Sequence, residues 1–181
     1  MRRTQSFTAA VLIFQSGSRS DMSSTAINAQ GSRFYINTGK PGDAKPTWTK
    51  VNNVKSYSGF DGSANEIDVT DLDSKAKEKQ PGLMDNGAFS LDVNRNLKGA
   101  GQAAMLAAQK SQTTTDYQLV YPDGTADQFR AFVKSFPIAG GVDAVITSTI
   151  SMTITGEVIE VAPGNVATGG APDDPVPSSG A

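Results

Sequence analysis

The chain predicts a mainly β domain of antiparallel strands with one short helix, and three observations point there. In the first, Ile146, Ile150, Met152, Ile154 and Val158 fall at even positions, while Thr147, Thr149, Ser151, Thr153, Thr155 and Glu157 fill the odd ones. Successive strand side chains point to opposite faces, so this register sets a methyl-rich face against a core and a hydroxyl-rich face towards water or another subunit. Ser148 and Gly156 are the breaks in the apolar row. In the second, Pro122-Asp123-Gly124 supplies a fixed φ, a local acceptor and a residue tolerant of positive φ, a hairpin turn between Tyr121 and Ala126. In the third, the period changes over residues 102–110, where Ala103, Leu106, Ala107 and Lys110 lie three and four apart among strong helix formers.

Taken in order, residues 1–21 set Arg2 and Arg3 before a short apolar run from Phe7 to Phe14. This can be read as an export signal, or as a disordered or upstream leader before a working start at Met22. Setting that leader aside, with its three arginines and one aspartate, leaves 13 basic against 17 acidic residues. Residues 22–161 read as one domain. After Gly31, Ser32-Arg-Phe-Tyr-Ile-Asn reads as a first strand closed by Thr38-Gly39, and Trp48 then stands as a core or rim anchor. After a turn cluster at residues 58–62, residues 65–70 alternate with Ile67 and Val69 on one side.

Residues 71–87 read as a long polar loop with Pro81-Gly82 in its middle and Leu83-Met84 as an apolar anchor. Asp68, Asp71, Asp73 and Asp85 offer oxygen ligands, but the regular spacing and sharp-turn glycine of a Ca²⁺ loop are missing, so no metal site is assigned. The better expectation is a loop that orders against a partner. Phe89, Leu91 and Val93 resume an inward row against Ser90, Asp92 and Asn94. Residues 162–181 turn to Pro, Gly, Ala and Asp without aromatics, the composition of a disordered tail.

The chain has no cysteine and no histidine, which removes disulfides, thiolates and imidazole chemistry. No nucleophile elbow occurs, and Ser32 and Ser74 stand in polar surroundings as solvated hydroxyls. With 16 basic and 18 acidic residues and no basic cluster, the chain has no footprint for tight phosphate binding. No apolar run approaches the roughly 20 residues of a bilayer span. Catalytic, metal-binding and cofactor-binding residues are therefore all assigned as none.

The order of these pieces resembles the major tail tube proteins of long-tailed bacteriophages. The likeness is carried by Tyr117-Gln-Leu-Val-Tyr-Pro-Asp-Gly-Thr-Ala-Asp-Gln-Phe-Arg-Ala-Phe-Val, the Gly-Gly break and the alternating strand, by Gly101-Gln-Ala-Ala-Met-Leu after the Phe89 strand, and by Ile67-Asp-Val-Thr-Asp-Leu-Asp before the polar segment. The resemblance implies a β-sandwich or barrel-like tail tube fold with one flanking helix, similar to the tubes of type VI secretion and contractile tails. It further implies a structural protein of the virion tail, not an enzyme, assembled in the host cytoplasm into stacked hexameric rings through which DNA passes without tight binding. Tape measure, tail tip and tail terminator proteins are the implied partners, with no membrane and no cofactor. Some relatives carry an added immunoglobulin-like domain, and here only the Pro- and Gly-rich tail follows. On this reading Leu72, Lys75, Lys77, Leu83 and Met84 make the inter-ring contact, and Thr147, Thr149, Ser151, Thr153 and Thr155 line the lumen. A secreted β-sandwich that binds carbohydrate or a cell surface is the alternative if residues 1–21 are an export signal.

Overall fold

The computed structural model describes residues 26–39, 45–164 and 166. The expected leader at residues 1–21 and nearly all of the expected tail lie outside them. Among these residues nine strands and one helix follow in order: β1 Arg33–Asn37, β2 Trp48–Val51, β3 Val54–Gly59, β4 Ser63–Asp68, β5 Lys79–Asp85, β6 Ala88–Asn94, α1 Ala100–Ser111, β7 Thr115–Val120, β8 Ala126–Ser135 and β9 Thr147–Val161. Seven strands make one antiparallel sheet in the order β2-β1-β7-β8-β9-β6-β3, and β4 and β5 make a separate pair.

The long sheet folds over on itself. Phe34 of β1 and Phe89 of β6 are four strands apart in the sheet order, yet their rings stack at 5.5 Å between centroids. The two layers meet there, and Phe129 joins them at 5.1 Å from Phe89. The bend lies where β8 and β9 slip register between Phe129 and Ala131, so that Val158 pairs with Phe129 and Ile154 with Ala131. Gly156 sits in the extra residues of β9 at φ 87°, with open space where a Cβ would stand, so its backbone angle and not crowding calls for glycine. The two free edges, β2 and β3, are joined through Asn52 and Asn53 alone. Architecture and antiparallel pairing match the expected sandwich.

The hairpin at Pro122 forms as its residues dictate. Tyr121 N donates to Thr125 O at 2.8 Å, and the Asp123 carboxylate accepts Thr125 N at 3.0 Å. Along β6, Phe89, Leu91 and Val93 are buried, and along β9 the even residues from Ile150 to Ile154 join them in one core with Phe34, Tyr117 and Phe129. Tyr35 and Trp48 form a second, smaller cluster on the reverse face with Val120 and Ala126, so β1 is buried on both sides and Trp48 serves as the expected anchor.

Three expectations are corrected here. The period of two sets Ile146 in the inward row, but the ladder to β6 begins with Thr147 opposite Asn94, and Ile146 lies before it in the open. The helix buries Gly101, Gln102, Met105 and Ala108, not the face of Ala103, Leu106, Ala107 and Lys110. Gly101 lets the helix start close against β2, where a Cβ would lie 2.3 Å from Lys50 O. Gln102 is buried because its amide bonds three backbone groups: Oε1 accepts Asn96 N at 2.8 Å, and Nε2 donates to Asn52 O at 2.9 Å and Asn94 O at 3.0 Å. An apolar count along the helix passes over a glycine and a glutamine. The third correction concerns residues 71–87, which are not one loop: Lys79–Asp85 is strand β5, paired antiparallel with β4.

Candidate functional site

Two surfaces stand out, and both follow from the ladder between β3 and β6. Beyond its last pair, Gly59 with Phe89, the two chains continue as the β4–β5 ribbon, which leaves the sheet at its edge. The crossover is tight. A Cβ on Gly62 would lie 2.4 Å from Asp85 O, and Gly87 adopts φ 72° close to Asp61, whose carboxylate accepts Ala88 N at 2.9 Å. Asn86 Nδ2 donates to Gly156 O at 2.6 Å, which ties the root of the ribbon to the bend in β9.

The ribbon itself has no core. Every residue of β4 is exposed, as are all residues of β5 except Gly82. Leu72 is 104 % exposed, Leu83 90 % and Met84 66 %, with Ile67 and Val69 also open. Five apolar side chains held in water on a two-stranded element make a surface that is unfavourable unless something covers it. Lys75 and Lys77 are exposed near the tip. Lys79 pairs with Glu66 across the strands. The tip is locally built: Asp68 accepts Thr70 Oγ1 at 2.5 Å, and Asp71 accepts Ser74 Oγ at 2.9 Å. These hydroxyl donors, with neighbouring backbone N–H groups, hold both carboxyls below the usual carboxylate value. The segment therefore carries its own turn geometry and its own strand pairing before any partner is present.

The second surface is the outward face of the same layer. Register places Ser58 of β3, Ser90 of β6 and Ser151 of β9 in one row, with Ser56, Asp92 and Thr149 in the next. Thr153 lies opposite Ala88, and Thr147 opposite Asn94. Thr155 stands at the bend, one residue before Gly156, beyond the paired rows. Asp92 is the anchor of this face: it accepts Thr149 Oγ1 at 2.6 Å and Ser56 Oγ at 2.8 Å. Those two bonds, first Thr149 and then Ser56, depress its pKa, with a smaller contribution from the positive charge of Lys55. The alternation along β6 had shown that Asp92 faces outward, but only pairing could show which hydroxyls it gathers.

Other candidates are spent locally. Ser32 Oγ bonds the Tyr57 hydroxyl at 3.1 Å, and Ser74 serves Asp71. A cleft of about 670 Å³ at the end of the sheet is lined by Ile36, Trp48, Ala104 and Ala108, and at its rim Arg130 and Asp116 bind each other at 3.0 Å. The carboxylate and the guanidinium neutralise one another there.

Residues 33–162 match the family described as lambda phage tail tube protein. A curated relative, structural protein 3 of Pseudomonas phage PAJU2, is 24% identical over 128 residues, covering 59% of this chain and 78% of the relative. Among solved structures, the tail of an empty gene transfer agent particle with C6 symmetry superposes with a TM-score of 0.60 at 15% identity, covering 76% of this chain and 100% of that one. The SPP1 tail tube superposes with a TM-score of 0.58 at 15% identity, covering 75% and 78%. The two structures share the fold, and the family match spans most of the sheet: the chain belongs to the lambda phage tail tube protein family and is a structural component of the virion tail.

Proposed function

We propose that copies of this chain close into hexameric rings and that the rings stack into a hollow tube through which phage DNA passes into the host. The observation that carries this reading is the β4–β5 ribbon, whose Leu72, Leu83 and Met84 are open to water in the single chain. A ring needs a contact that closes on itself, and a stack needs a second contact that never closes. The C6 symmetry of the gene transfer agent tail supports six copies per ring. Leu72, Lys75, Lys77, Leu83 and Met84 make the ring-to-ring contact. Thr147, Thr149, Ser151, Thr153 and Thr155, with the serine row beside them, face the lumen.

A hydroxyl wall hydrates passing DNA without gripping it, because phosphate is held by clustered cations and β9 carries none between Thr147 and Val161. Asp92 adds a negative charge that repels the backbone. The chain acts as a repeated part and performs no catalytic step. Tape measure, tail tip and terminator proteins are its partners at the ends of the tube, and assembly takes place in the host cytoplasm. Negative-stain images of the concentrated chain, alone and seeded with sheared tail ends, test the reading. Hollow rods are expected, and Leu72→Asp combined with Leu83→Asp should abolish them while leaving the melting temperature of the single chain unchanged. Featureless monomers under both conditions overturn it.

A further inference from the structure

Resting on the tube reading, we propose that the β4–β5 ribbon docks on the opposite end of the β3–β6–β9 layer in the next copy, at the β8–β9 connection. That connection, residues 136–146, exposes Ile138 by 66%, Val142 by 96%, Val145 by 66% and Ile146 by 51%. Single exposed apolar residues are ordinary, but four within nine positions of one loop are not. Leu97, 40% exposed, stands on the neighbouring connection, whose Arg95 N donates to Ile146 O at 2.8 Å.

The loop is braced from beneath. Ser148, the break in the apolar row, is buried and donates its hydroxyl to Pro137 O. Ala139 and Thr147 exchange both backbone bonds at 2.9 and 2.8 Å, and the Arg95 guanidinium lies 4.7 Å over the Phe136 ring. A surface already held in shape loses little freedom when it binds.

Placement decides the occupant. The ribbon leaves β6 at its Ala88 end, opposite Thr153, whereas the loop enters β9 at Thr147, opposite Asn94. Two unlike apolar projections at opposite ends of one layer suit a head-to-tail contact between identical copies, which repeats without closing. Charge agrees. Residues 66–79 hold five carboxylates against Lys75, Lys77 and Lys79, and the receiving corner has Arg95 and Lys98 against Asp143.

The chain has no native cysteine, so thiol cross-linking reads this contact directly. Chains carrying Leu72→Cys and chains carrying Val142→Cys are mixed, assembled on seeds and treated with a short bis-maleimide. A dimer band in the mixture, absent from either variant alone, is expected. Val142→Asp with Val145→Asp should also prevent rods while the melting temperature of the single chain holds. Normal rods from that double variant, or no mixed dimer in rods that have formed, overturn the proposal. Failure of the unaltered chain to form rods at all would instead count against the tube reading. Rods that are lost with the ribbon aspartates but kept with the loop aspartates leave the tube standing and remove only this receiving surface.

Discussion

Thr149 Oγ1 donates to Asp92 Oδ1 at 2.6 Å, joining residues 57 apart in the chain across the β6–β9 ladder. Ser56 donates to the other oxygen, so both bonds favour the charged carboxylate and lower its pKa below the usual carboxylate value. A depressed folded-state value means that the stabilisation is fully present above the unfolded value and is lost as pH falls through the folded one. Because the carboxylate is largely open to solvent, the effect is small. Asp92→Asn should melt slightly below the unaltered chain at neutral pH, and the gap should close in strong acid. Thermal melts across that range check it; an equal gap at both ends contradicts the assignment.

Phe89 stands at the meeting point of the layers, in ring contact with Phe34, Tyr57, Phe60 and Phe129. Phe89→Ala should cost about 3–5 kcal/mol by lost burial plus the cavity left behind. Chemical denaturation measures this, and a loss under about 1 kcal/mol would mean that the layers are not joined there.

Gln102 and Gln118 are both buried amides with opposite predicted behaviour. Gln102 satisfies three backbone groups at the corner joining β2 and β3, so Gln102→Leu strands them and should cost about 2–4 kcal/mol. Among the described residues, neither side-chain polar atom of Gln118 has a partner. Gln118→Met, similar in volume and without an amide to desolvate, should therefore gain about 1–2 kcal/mol. Denaturant midpoints of the two variants should move in opposite directions, and movement in the same direction would contradict the bonding pattern.

Much of the fold was legible because strands announce themselves locally. The period of two along β6 and β9 named the buried residues Phe89, Leu91, Val93, Ile150, Met152 and Ile154, and Pro122-Asp123-Gly124 named its hairpin. What escaped was settled by contacts distant in the chain. The polarity of residues 71–87 disguised β5, because a ribbon with no core has no apolar face to alternate. The exposed loop holding Val142 read only as a Gly-Gly break, since exposure of a valine is decided by what fails to cover it.

The sequence by itself determined the strand periods, the turn chemistry, the lack of cysteine and histidine, and the order of pieces that marks the family. These depend on neighbours within a few positions, or on no neighbour at all. Only the tertiary structure decided that Phe34 meets Phe89, that Asp92 gathers Ser56 and Thr149, and that the ribbon and the β8–β9 loop point from opposite ends of one layer. The physical reason is register: a single-residue slip between β6 and β9 would leave each strand's own pattern intact and turn every cross-strand partner to the other face.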